Sequence, residues 1–229
     1  MARLARLTVA GLPHHLIQRG LNRQAIVADD VDRERLLAEL RESAALHRVA
    51  IHAYVLMDNH LHLLATPETA EGLSRMMQSL GRRYVAAFNK RHGRSGTLWD
   101  GRFRAAPLEA ATHLLACMRY IELNPQRLGQ AGRPEDYRWS SAAHHLGRRR
   151  DPLLFDHALF WAIGNTPFER EAAYQAWLEQ GVAEDEARRL GDAALKGWPL
   201  GSASFLQMLA EDTERPIQPR RRGRPPRLA

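Results

Sequence analysis

The chain has 229 residues, a formal net charge of +7 and a sequence pI near 10.3. Its one cysteine, Cys117, excludes an internal disulfide and a cysteine-based zinc site, and no apolar run approaches the ~18–20 residues that span a bilayer. The positive charge is almost entirely arginine, with Lys90 and Lys196 the only lysines; the guanidinium fork suits phosphate, a GC-rich coding bias explains the arginine-to-lysine ratio at least as well, and the net charge itself points to nucleic acid. The N-terminal residues Met1 to Arg6 lack an apolar block behind them, so a secretory signal is not expected and a cytoplasmic location is.

Residues 13–20 predict a first strand closed by Gly20. A helix follows over about residues 30–48, capped by Asp29 or Asp30, with Leu36, Leu37, Leu40 and Ala44 as its apolar stripe. Residues 49–57 predict a second strand. Strict alternation would put Ile51, Ala53 and Val55 on one face and His52, Tyr54 and Leu56 on the other. Met57-Asp58-Asn59 reads as a tight turn, because Asp and Asn bond their own backbone. The chain then returns as His60-Leu61-His62-Leu63-Leu64, which closes an antiparallel hairpin.

The next helix runs over about residues 68–92, with Leu73, Met76, Met77, Leu80, Tyr84 and Phe88 at helical spacing. Its other face carries Arg75, Arg82, Arg83, Lys90 and Arg91, and no acid follows Glu71. Arg82, Arg83, Lys90 and Arg91 are therefore candidate DNA contacts, the simpler alternative being a solvated face. A glycine-rich loop leads to Arg102-Phe103-Arg104, whose two arginines are further candidates, and to a short strand ending near Leu108. A third helix spans about residues 110–123. This order fits an α+β, ferredoxin-like sandwich: an antiparallel sheet with helices on one face.

The composition changes near residue 130, which suggests a first domain over 1–130, a mostly helical extension over 131–214 and a basic tail over 215–229. The tail holds six arginines, four prolines and no acid, and is expected to be disordered when free. Its Arg222-Gly223-Arg224-Pro225 is the core of an AT-hook, a segment that lies in a narrow minor groove, and Arg222 and Arg224 are candidate DNA contacts.

In a strand, residues i and i+2 share a face, so His60 and His62 stand side by side with Leu61 and Leu63 behind them. That geometry suits one divalent cation, although two satisfied strand histidines are the plainer reading of the motif alone. At the end of the third helix, Tyr120 and Asn124 lie one turn apart, beside the stripe Leu114, Cys117, Met118 and Ile121. Pro125 biases Asn124 away from the α region and is expected to stop the helix there. Two imidazoles and an amide oxygen leave cation positions open for phosphate oxygens, and a nearby phenol is a natural nucleophile. Tyr84 reads as core. His14 and His15 read as sheet histidines that could line the site, and His113 as a distant supporting candidate.

Taken together, His60-Leu61-His62 resembles the HUH signature of single-strand DNA-nicking enzymes. With Met118-Arg119-Tyr120-Ile121-Glu122-Leu123-Asn124-Pro125, the loop at residues 96–104, Trp139-Ser140-Ser141 and the basic tail, the chain resembles the REP-associated tyrosine transposases. The resemblance implies Tyr120 as nucleophile, His60, His62 and Asn124 as metal ligands, and single-stranded DNA beside a short palindromic hairpin as substrate. It implies Mg²⁺ or Mn²⁺ as cofactor; two imidazoles favour Mn²⁺ by ligand type. Asp58 stands where that group is expected to have proline. The rival readings are a hairpin-binding protein without cleavage activity and a replication-initiator nuclease, the latter disfavoured because no linked helicase module fits in the length.

Overall fold

The structure, a computed structural model, describes residues 5–219. Four strands form one antiparallel sheet: β1 (His14–Arg19), β2 (Val49–Leu56), β3 (His60–Pro67) and β4 (Arg104–Pro107), in the order β2-β3-β1-β4. Helix α1 (Asp30–Leu46) links β1 to β2, and α2 (Gly72–Arg91) links β3 to β4. This is the ferredoxin-like arrangement expected from the order of elements. Asp29 caps α1, its side chain accepting from the Asp32 amide at 3.1 Å. The α2 stripe is buried from Leu73 through Phe88 against Leu16, Leu61 and Leu63 of the sheet. The hairpin closes with the Met57 amide donating to the His60 carbonyl at 2.9 Å.

Helices α1 and α2 share one face, as expected, and the chain also covers the other. Helix α3 (Ala110–Glu122) packs Leu114, Cys117, Met118 and Ile121 against Ala53, Val55 and Leu64. The same cluster takes in Phe160, Tyr174, Leu178 and Leu190 from the C-terminal half, so residues on both sides of position 130 share one core. Those residues come from α6 (Ala158–Trp161), α7 (Pro167–Glu179) and α8 (Glu184–Lys196), after the short α4 (Asn124–Arg127) and α5 (Ala142–His145), with α9 (Ala203–Glu211) following.

Two local expectations need correction. The β2–β3 register shifts between Ile51 and Ala53, so the extra residue His52 breaks the alternation and Ile51 faces the same core as Tyr54 and Leu56. The third helix ends at Glu122, and Asn124 opens a new turn with Pro125 inside it, so the proline breaks and restarts the helix rather than stopping it.

The outer edge of β2 is occupied by the chain's own later residues. The Leu56 amide donates to Trp139 at 2.9 Å, Ser141 to Tyr54 at 3.0 Å and Phe155 to Ile51 at 2.8 Å. Beyond β4, Leu200 exchanges amide bonds with Pro107 at 3.0 Å and Glu109 at 2.8 Å. Among the described residues, no helix is long and apolar enough to cross a membrane. The expectations for Arg222, Arg224 and most of the tail lie outside the described residues.

Candidate active site

His60 and His62 stand side by side on β3, ring centroids 5.0 Å apart, on the face opposite Leu61 and Leu63. His60 is half-buried, and its Nδ1 lies 2.7 Å from Asn59 Oδ1. An amide oxygen only accepts, so the hydrogen sits on Nδ1 and the Nε2 lone pair is left open. His62 is buried, with Nδ1 2.8 Å from His15 Nε2. Burial, helped by nearby Arg19, holds His60 down to about 4. Burial also pushes His62 well below the usual imidazole range, with His15 and His60 adding to it. Both rings are therefore neutral near pH 7, the form that binds a metal.

Helix α3 brings Tyr120 to this pair, its ring centroid 6.0 Å from His62 and 5.5 Å from His15. Tyr120 lines a cleft of about 610 Å³ between α4 and α8, with Leu123, Arg127, Ala187 and Gly191. Burial raises its phenol pKa, and the Arg127 guanidinium, 4.9 Å from the ring centroid, opposes that rise together with Arg19. The other four tyrosines donate their hydroxyl hydrogens to protein acceptors: Tyr54 to Asp151, Tyr84 to the Ile26 carbonyl, Tyr137 to the Leu56 carbonyl and Tyr174 to Glu122. Tyr120 instead meets a cation. Asn124 is buried at the first position of α4, one turn beyond it.

Two neutral imidazoles with open Nε2 atoms on one strand face fit a divalent cation that accepts N ligands. Asp58, in the turn before the pair, bonds Arg33 at 2.6 Å and so ties the turn to α1.

Sequence reasoning missed two residues here and left the place of a third open. Arg19 pairs across the sheet with His60 and acts on both His60 and Tyr120. Arg127 was one residue of a basic sequence until α4 turned it over the phenol. His15 bonds a site histidine, whereas His14 is the satisfied sheet histidine, with Nδ1 2.7 Å from the Leu12 carbonyl and Nε2 accepting from the Val9 amide. The charges that act on half-buried His113 are those of Arg189, Glu109 and Glu186.

The candidate DNA contacts divide. Arg83 pairs with Glu39 and Glu42, and Arg91 with Asp29 and Asp32, so acids of α1 and its cap neutralise two of the four candidate cations on α2. Arg104 donates to the Leu195 carbonyl of α8. Arg82 and Lys90 are exposed, and Arg82 and Arg102 line one groove with Arg75 and Trp99.

A second polar group lies below the site. Buried Glu122 accepts from Ser141 Oγ at 2.5 Å and from the Tyr174 hydroxyl at 2.8 Å, and His145 Nδ1 lies 2.6 Å away. Ligand atoms of His144, His145 and Asp156 come within 4.8 Å of one another. The Asp151 amide donates to His144 Nδ1, however, which leaves the hydrogen on Nε2, directed at Asp156 at 3.2 Å. Donating that hydrogen makes His144 part of a hydrogen-bonded brace under α3 rather than a cation ligand.

The model of the IS200-like transposase family matches residues 8–124, which spans both histidines, Tyr120 and Asn124. Among solved structures, a REP-associated tyrosine transposase bound to a REP hairpin is similar over 69% of this chain and 93% of its own, at 17% identity and a TM-score of 0.57. A crystal structure of a candidate transposase from Deinococcus radiodurans R1 aligns over 56% of this chain and 98% of its own, at 24% identity and a TM-score of 0.37. No curated protein matches. A family match over more than half the chain, on a sheet and helix order of the same fold, establishes that the chain belongs to the IS200-like transposase family.

Proposed function

We propose that this chain is a metal-assisted nuclease and strand transferase of single-stranded DNA, acting beside a short palindromic hairpin through Tyr120. Within its family it resembles the REP-associated tyrosine transposases. The observation that carries the reading is the placement of Tyr120. Alone among the five tyrosines it presents its hydroxyl to a cation and a cleft, with two neutral histidines beside it.

In the proposed step the Tyr120 oxygen attacks the scissile phosphorus and loses its proton to solvent. The phosphorus–O3′ bond breaks, the 3′ oxygen leaves and takes up a proton, and a 5′-phosphotyrosine remains. A free 3′-OH reverses the step and rejoins a strand, so no external energy source is needed. Arg127 favours the phenolate. His60 and His62, with Asn124, would hold Mg²⁺ or Mn²⁺, which polarises the phosphoryl group when bound. Arg82 and Arg102 supply part of a basic track, and Arg222 and Arg224 are proposed to add a salt-sensitive hold on flanking DNA. Residues 1–130 carry the chemistry, residues 131–214 wall the cleft and residues 215–229 form the tail. The REP hairpin bound to the similar solved transposase supports the choice of DNA partner.

The test is incubation of the protein with single-stranded hairpin DNA and Mn²⁺, scored for a covalent protein–DNA band. The band forms with wild type and is absent in Tyr120→Phe, which still binds the hairpin. Binding without any band in wild type would favour the hairpin-binding protein that has lost cleavage. Duplex of the same sequence is cut poorly, because the cleft must admit a free strand.

A further inference from the structure

We propose that His15 is a positioning residue that selects Nε2 of His62 as the metal-facing nitrogen, and that it does so through a bond to α8. The proposal rests on the reading of His62 as a metal ligand.

The chain of donors runs in one direction. His15 Nδ1 lies 3.3 Å from the Leu190 carbonyl of α8. A carbonyl only accepts, so the His15 hydrogen is on Nδ1 and its Nε2 carries a lone pair. That lone pair lies 2.8 Å from His62 Nδ1, so His62 places its own hydrogen there. His62 Nε2 is then left as the free donor atom. His15 and His62 are both buried, and their rings are 5.1 Å apart and stacked, so water does not compete for either bond. His60 reaches the same tautomer by a local route, through Asn59. His62 has only the route through His15, and that route starts at Leu190, 175 residues from His15 in sequence. The bond crosses the sheet diagonally, since His15 stands opposite Leu64 and not opposite His62. Partners that fix the tautomer of a ligating histidine are worth about 10–100-fold in metal affinity. The C-terminal half is thereby a functional part of the cation site as well as its cover.

The experiment measures Mn²⁺ affinity of the full chain by paramagnetic resonance, and the His62 tautomer by long-range ¹⁵N correlation in the metal-free protein. Four substitutions are compared with wild type: His15→Ala, His15→Gln, His15→Asn and His62→Ala. Glutamine puts an acceptor where His15 Nε2 was, while asparagine reaches only the Nδ1 position. We expect wild type to show His62 protonated on Nδ1. His15→Ala and His15→Asn lose about 10-fold or more in Mn²⁺ affinity and show mixed His62 tautomers. His15→Gln restores most of both. The saturated cleavage rate at excess Mn²⁺ changes less than the affinity does. If His15→Ala fails to fold, the glutamine and asparagine variants, of similar polarity, decide the matter. Equal Mn²⁺ affinity in those two variants, with His62→Ala impaired, would overturn the positioning role and leave the metal site standing. Wild-type affinity in His62→Ala would overturn the metal site and the positioning role with it.

Discussion

The Tyr120 hydroxyl lies against Gly191 of α8: a Cβ placed on residue 191 would come within 3.0 Å of it. Gly191 thus leaves room for the oxygen that the proposed reaction uses. Gly191→Ala should move that oxygen by a few tenths of an ångström. Alanine in a helix interior gains up to about 1 kcal/mol over glycine, so stability should hold or rise slightly. Cleavage at saturating DNA should fall about 10-fold or more, since small misplacements of reacting atoms are costly. Thermal unfolding and single-turnover cleavage, measured together, separate the two effects. An unchanged rate would place the reacting oxygen elsewhere.

Arg127 works against the burial of Tyr120. Arg127→Gln removes the charge, so the phenol pKa rises further. The expected result is adduct formation slowed about 10-fold or more at pH 7.5, with partial recovery as the pH rises toward 10. A variant equally slow at every pH would make Arg127 a phosphate contact alone.

Stability should fall in acid for a definable reason. Burial holds His14, His15, His52 and His60 down to about 4 in the folded chain, against 6.5 as the ordinary value. Below pH 6.5 the unfolded chain takes up protons that the folded chain refuses. The stabilisation is complete above 6.5 and is lost as the pH falls toward 4. Each such group contributes at most about 1.4 kcal/mol per pH unit in that window. Urea midpoints between pH 7.5 and 4.5 should drop steadily, and a flat profile would contradict the burial of these rings.

Arg215 belongs to the folded part, since it bonds the Gly197 carbonyl and lies 5.5 Å from the Trp198 ring. A tail deletion is therefore best made after Pro219. Removing residues 220–229 takes away five arginines and no proposed catalytic group. The salt slope of DNA binding should fall by about 0.7–0.9 for each phosphate that the shortened chain no longer neutralises. Saturated cleavage should stay near wild type. An unchanged slope means the tail is not on DNA.

The histidine pair and the phenol were legible because each is governed by local periodicity: i, i+2 in a strand for His60 and His62, and a helix end for Tyr120 and Asn124. The order of strands and helices likewise sufficed for the ferredoxin-like unit. Long-range partners were not legible. The α2 helix looked like an unopposed basic face until α1 supplied Glu39, Glu42, Asp29 and Asp32 for Arg83 and Arg91. His15 read as one more strand histidine because its bonds reach β3 and α8. The shift at His52 escaped because it depends on the neighbouring strand; His52 bonds Thr66 on β3 and the Phe155 carbonyl.

The chain fills both borders of its own sheet, with residues 139–141 and 155 along β2 and Leu200 along β4. Exposed borders are where two proteins can join their sheets into one. Here the chain's own later residues take up part of each border, and Tyr120 and His62 meet inside one chain, ring centroids 6.0 Å apart. On the proposed reading, each molecule then carries its own phenol and histidine pair for the reaction. A mixture of Tyr120→Phe and His62→Ala proteins should stay as inert as either alone, whereas an enzyme that shared its phenol with a neighbour would regain activity on mixing.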